Sequence, residues 1–172
     1  LGNEYFMLST GYKVATSLYY IGNLSEAKSM VENLLKIAEA KSFGGFAITG
    51  ALKVLLAEFL RQEREFQKSL QLIEVGLEIA FKDKPPYSWS KLYKIALMFS
   101  LGQYDSALGI VTEIEEMHED FSLPYFITSA ARIWKAIIAY VNSESDLAIE
   151  ILESLGIVEG KAPVNGLERG YL

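Results

Sequence analysis

The chain has 172 residues, 51% of them apolar and 12% aromatic, with 16 Lys and Arg against 22 Asp and Glu for a net charge of −6. That much apolar side chain excludes a disordered tail, and the acidic balance, with no cluster of Lys or Arg, argues against direct binding of nucleic acid through its phosphates. The absence of cysteine excludes disulfides and thiolate metal sites and fits an intracellular, cytoplasmic setting.

From the N-terminus, "EYFMLSTGYKVATSLYYI" is apolar at helical spacing, with Ala15 small among bulky neighbours. Gly22 is suited to end that helix in a left-handed conformation, and Ser25 to cap the next. "SEAKSMVENLLKIAEAK" then sets Ala27, Val31, Leu34 and Leu35 on one amphipathic face. "FGGFAITG" reads as a turn between hairpins, with Gly50 allowing close packing, and "FAITGALKVLLAEFLRQ" and "FQKSLQLIEVGLEIAF" read as the next two helices. "KDKPPYSW" and Pro124 mark further connections, because proline cannot continue a helix interior.

Between those connections lie "SWSKLYKIALMFSL" and "DSALGIVTEIEEM", joined at Gly102 and capped by Asp105. After Pro124 come "PYFITSAARIWKAIIAYV" and "SDLAIEILESL", with Asp146 as the cap. The last helix ends at Gly156, and a loop containing Pro163 leads into a new helical start at "LERGYL". The long apolar runs near 46–60 and 126–141 are broken by Lys53, Glu58, Arg132 and Lys135. They fall short of the roughly 20 uninterrupted apolar residues of a membrane span. No secretory signal is visible, and the start at Leu1 without an initiator Met reads as a piece of something larger or a product of cleavage.

One phrase recurs. "YIGNLSEAKSMV" at 20–31 returns as "SLGQYDSALGIV" at 100–111, and weaker copies lie between and after them. The small residue of the phrase is Ala27, Ser69, Ala107 and Ala148; three earlier sit Leu24, Phe66, Tyr104 and Ser145; four later sit Val31, Ile73, Val111 and Leu152. The copies are 42, 38 and 41 residues apart. Two helices per copy and no alternation long enough for a strand predict an all-α fold, a right-handed superhelical solenoid of about four antiparallel helical hairpins. The expected repeats cover about 4–42, 44–82, 87–119 and 122–155, with 156–172 a loop and the start of a truncated further helix.

Gly, aromatic–Asp–x–Ala and a hydrophobic residue four beyond the Ala resemble the turn of tetratricopeptide (TPR) repeats, whose period is about 34. The longer period and the exit through a Gly/Pro loop toward "LERGYL" look more like the superhelical domain of the maltose-regulon transcription activator and its relatives, large ATPases with a separate DNA-binding domain. That resemblance implies an effector-binding or interaction module of a regulatory protein, sensing a small inducer such as an oligosaccharide or a partner protein, with self-association following.

Catalytic chemistry has little to work with. His118 is the sole histidine, in "EIEEMHEDF" at a helix end. A general base would need a nucleophile nearby, and a charged-helix terminus accounts for it without one. The neighbouring carboxylates lack the glycine and alternating oxygen ligands of a calcium loop. "FGGFAITG" lacks the Lys-Ser/Thr of a phosphate loop and has no strand ahead of it. "NLS" at 23–25 matches a glycosylation triplet by chance. The expectation is a non-enzymatic chain with no cofactor and no metal.

Repeats of this kind bind on the face lined by each hairpin's first helix. Three residues before the turn glycine, the copies have Tyr19, Arg61, Phe99 and Tyr140; one helical stretch earlier they have Tyr12, Val54, Leu92 and Ile133. Trp89 and Glu58 share this face, so the candidate partner-binding residues are Tyr12, Tyr19, Glu58, Arg61, Trp89, Phe99 and Tyr140. Tyrosine offers a flat apolar body and a polar tip suited to an amphipathic ligand, while aromatics at helical spacing also serve as core, as Tyr93 and Trp134 are expected to. Arg61 and Glu58 can recognise a ligand or pair with each other at i,i+3. Mostly apolar positions with Arg61 alone do not suit a clamp for a peptide's terminal carboxylate. Two occupants fit: a small inducer in an enclosed pocket, or a free-standing scaffold's partner peptide or helix in an open trough. On the ligand reading, Arg61→Ala weakens binding with little change in thermal stability.

Overall fold

A computed structural model describes residues 2–81 and 84–157. Among them are eight helices: α1 (Gly2–Tyr20), α2 (Leu24–Ala40), α3 (Ala47–Gln62), α4 (Phe66–Ala80), α5 (Lys84–Ser100), α6 (Tyr104–Phe121), α7 (Tyr125–Val141) and α8 (Ser145–Ser154). The expected loop and new helix after 157 lie outside the described residues. Contacts divide the chain into two compact units, one over residues 1–93 and one from Lys94 onward. The first holds α1 to α4 and the opening turns of α5; the second holds the end of α5 and α6 to α8.

The four intrahairpin turns are one device repeated. Gly22, Arg64, Gly102 and Ser143, each five residues before the small residue of its copy, all have positive φ, at 85°, 63°, 71° and 66°. The N–H one residue later reaches back five residues to a carbonyl: Asn23 to Leu18, Glu65 to Leu60, Gln103 to Met98 and Glu144 to Ala139, each at 2.9 Å. This is the Schellman closure, which satisfies a carbonyl left open at a helix end. The fourth turn keeps it although Ser145 replaces the aromatic, so the backbone device does not depend on that ring.

The closure shifts the caps from their expected positions. Only three residues separate the two helices of each hairpin, so Ser25, Asp105 and Asp146 fall inside the first turn instead of capping it. Asn23, Gln103 and Glu144 occupy the caps and make no side-chain cap bond. Asp105 and Asp146 still favour the positive end of the helix dipole. In the third hairpin, α5 begins at Lys84, so Pro85 and Pro86 stand in its first turn and not in a connection. Proline is tolerated there because those N–H groups have no helical partner.

Packing follows the small residues. Ala27, Ser69, Ala107 and Ala148 are all buried. Ser69 is the polar member of the set, and its hydroxyl donates to the Ala57 carbonyl of α3 at 2.7 Å. In the same hairpin, a Cβ on Gly50 would stand 2.4 Å from the Gly76 carbonyl oxygen and 2.5 Å from the Ala80 nitrogen. The backbones of α3 and α4 therefore approach as closely as two glycines allow. In the first unit the core includes Leu8, Ala15, Val31, Leu52, Leu55 and Ile73; in the second, Ile95, Leu97, Ile114, Ile127 and Ile138.

Candidate functional site

In the first unit, α1, α3 and α5 bring five of the seven expected site residues into one neighbourhood. Its centre is Glu58, buried to 2% exposure near the end of α3. Oε1 of Glu58 accepts from the Tyr19 hydroxyl at 2.8 Å and from Arg61 Nη2 at 2.7 Å, and Oε2 accepts from Arg61 Nε at 2.7 Å. Gln62 Nε2 donates to both the Tyr19 oxygen, at 3.0 Å, and Glu58 Oε1, at 3.1 Å. A carboxylate taken out of water is tolerated only when paired and hydrogen-bonded, and both oxygens here are engaged. The i,i+3 pairing foreseen for Glu58 and Arg61 forms, and across helices it recruits Tyr19 as well.

The electrostatics follow from that burial. Loss of water raises the Tyr19 hydroxyl far above the usual tyrosine value, and the adjacent Glu58 charge raises it further. The hydrogen bonds from Arg61 to Glu58 raise the guanidinium above its ordinary value, against the opposing effect of burial.

Aromatic rings frame the network. Tyr19 meets Tyr20, Phe59 and Tyr93 edge to face, with ring centroids 5.4, 5.8 and 6.3 Å apart. Tyr93, expected as core, is core and is also the ring on which the others converge. It is buried, and Tyr12, Tyr20, Trp89 and Tyr19 all act on its hydroxyl. Burial raises that hydroxyl well above the usual tyrosine value; the Trp89 side chain opposes the shift, yet no hydrogen bond of normal geometry reaches the oxygen. The spacing of Trp89 and Tyr93, four residues apart on one helix, was the signal that could have joined them. Beside the network a cleft lined by Leu24, Lys28, Glu32, Phe59, Gln62 and Glu63 runs between α2 and α3, crossed by the Lys28–Glu63 ion pair at 2.5 Å.

The other two candidates belong to the second unit. Phe99 is half-buried against Tyr104 and Trp134, each with centroids 5.3 Å away. Tyr140, near the end of α7, is 69% exposed. His118 lies in the last turn of α6 with Nδ1 3.0 Å from the Leu123 carbonyl oxygen. Among the described residues no three His, Cys, Asp or Glu side chains converge as a metal site would require, and no helix is long and apolar enough to cross a membrane.

Two solved structures are similar to this chain. They are nearly identical TPR-like repeats of a kinesin light chain candidate from Podosopora anserina, one of them a single-substitution variant. The variant superposes with a TM-score of 0.61 at 18% identity, covering 86% of this chain and 72% of its own. The other gives 0.57 at 18% identity, covering 85% and 72%. The likeness establishes the fold: an all-α chain of TPR-like helical hairpins. No protein-family description and no curated protein matches the chain.

Proposed function

We propose that this chain is a non-enzymatic protein-interaction module that seats a partner segment against the first helices of its leading hairpins, over Tyr12, Tyr19, Glu58, Arg61 and Trp89. The observation that carries this reading is the buried Glu58 carboxylate holding Arg61 in a fixed pose beside Tyr19. Side chains locked by a satisfied network present a ligand with a preorganised surface, which lowers the entropy lost on binding. A guanidinium beside a tyrosine suits a peptide carbonyl next to an apolar side chain. The TPR-like fold is in keeping with that use, although fold alone does not assign it. Phe99 and Tyr140 are proposed as partner contacts belonging to the second unit by itself. The resemblance of the long repeat period and the Gly/Pro exit loop to the maltose-regulon activator's superhelical domain adds a finer reading, in which binding shifts a larger regulatory polypeptide between states.

A thermal-shift screen of amphipathic peptides and of oligosaccharides tests both levels. Ligands that favour the folded state raise its melting temperature in proportion to their occupancy. Saturable stabilisation by a peptide class, lost in Trp89→Ala, supports the interaction module. Stabilisation by an oligosaccharide alone moves the assignment to a small-inducer sensor, and a flat response across both sinks the groove reading.

A further inference from the structure

The outward face of α1 exposes Phe6 and Val14 together with Thr10, Lys13 and Ser17, and the chain itself shows what covers such a face. Ala27 and Ser69 are 42 residues apart, so Phe6, Thr10 and Ser17 of α1 correspond to Ile48, Leu52 and Phe59 of α3, all buried. Ala27 and Ala148 are 121 apart, and the corresponding residues of α7, Ile127, Ala131 and Ile138, are buried too. On α1 the same positions are open: Phe6 is 68% exposed, and Thr10 and Ser17 are exposed.

Two ion pairs identify the element that lies against this face elsewhere. Glu63, just past α3, bonds Lys28 of α2 at 2.5 Å, and its counterpart beside α1 is Ile21, 76% exposed. Lys135 of α7 bonds Glu115 of α6 at 3.3 Å, and its counterpart on α1 is Val14, 43% exposed. In both internal cases the second helix of the preceding hairpin crosses this face. On α1 the edge positions are aliphatic instead of charged.

We propose that this face of α1 is a docking surface for a partner helix built like α2 or α6: amphipathic and antiparallel to α1, meeting it with the stripe that α2 turns to α3, which includes Leu24 and Lys28. The stripe on α1 is bulky at its ends, with Phe6 and Ile21, and small at its centre, with Thr10 and Ser17. It continues an interface that the fold already uses at α2–α3 and α6–α7. This surface lies apart from the Glu58 network, so the fate of one assignment leaves the other standing.

The test fuses a second copy of residues 24–46, α2 with its following turn, directly ahead of Tyr5, the position matching Ala47. A docked graft resists protease and raises the melting temperature by at least about 4 °C. In the same fusion Val14→Asp removes most of that rise, and Val14 is exposed enough for the chain itself to fold. A graft that stays protease-labile with an unmoved melting temperature overturns the proposal. Sedimentation of the unfused chain provides the second readout. A dimer dissolved by Phe6→Asp would overturn the α2-like helix in favour of a second copy, and a monomer alongside a protected graft supports the helix.

Discussion

Arg61 grips both carboxylate oxygens of Glu58, through Nε and Nη2 at 2.7 Å each, while Glu58 is 2% exposed and the Arg61 side chain 23%. Sequence alone suggested that Arg61→Ala would disturb binding and leave stability nearly untouched. The geometry gives a different expectation, because truncation leaves a buried carboxylate supported only by Tyr19 and Gln62. Removing one partner of a fully buried pair costs about 3–5 kcal/mol, and the partial exposure of Arg61 discounts that to about 2 kcal/mol. Urea unfolding of Arg61→Ala checks the figure. The double variant Glu58→Leu with Arg61→Met regains most of the lost stability, since it removes both charges together, and it should still fail to bind. A double variant as unstable as the single one would show that the network and not the charge balance holds α1 to α3.

Two buried phenols make the fold sensitive to alkali. Both Tyr19 and Tyr93 have hydroxyls raised by burial, so the folded state keeps their protons when the unfolded chain has released them. The unfolded chain therefore binds fewer protons above the ordinary tyrosine value, near 10, and stability falls with rising pH from there. Below that pH the contribution is fully present. Tyr93→Phe removes a buried hydroxyl that has no partner of normal geometry, so it should leave neutral-pH stability unchanged or slightly higher and soften the alkaline loss. Denaturant midpoints measured between neutral pH and about pH 11 decide this.

Two helical glycines should respond in opposite directions. Gly50→Ala places a Cβ against the Gly76 carbonyl and the Ala80 nitrogen, both backbone atoms that cannot step aside. Overpacking of that kind costs about 1–3 kcal/mol, more than the gain of up to about 1 kcal/mol in helix propensity. Gly109, inside α6, would meet nothing within 4 Å. Gly109→Ala should therefore stabilise by roughly 0.5–1 kcal/mol, and equal effects at the two sites would refute the close approach of α3 and α4.

How much was legible follows from where each feature is encoded. The hairpins and turns were, because the Ala27, Ser69, Ala107 and Ala148 register is written in side-chain size and periodicity along the chain. The meeting of Glu58 with Arg61 was also open to sequence, since i,i+3 spacing on one helix is local. Tyr19 joining them, Tyr93 gathering the rings, and Gly50 meeting Gly76 depend on how separate helices lie against each other. The caps were placed two residues late because the Schellman bond spends only three residues on each turn, a backbone economy that side-chain preferences do not record.

That bond leads to the last prediction. The first and third turns place glycine at the left-handed position, whereas the second and fourth place Arg64 and Ser143 there, at φ 63° and 66°. A residue with a Cβ is disfavoured in that conformation by about 1–2 kcal/mol, and glycine is not. Arg64→Gly and Ser143→Gly should each stabilise the chain by about 0.5–1 kcal/mol, the smaller figure reflecting the greater freedom of glycine in the unfolded state. Gly102→Ala should destabilise by about 1 kcal/mol, although a Cβ there would meet no atom within 4 Å. Because the space around Gly102 is open, any loss must come from backbone conformation alone. Thermal melts of the three variants, compared as one series, would show two rises and one fall. A rise for Gly102→Ala would mean that these turns do not hold the left-handed conformation in solution.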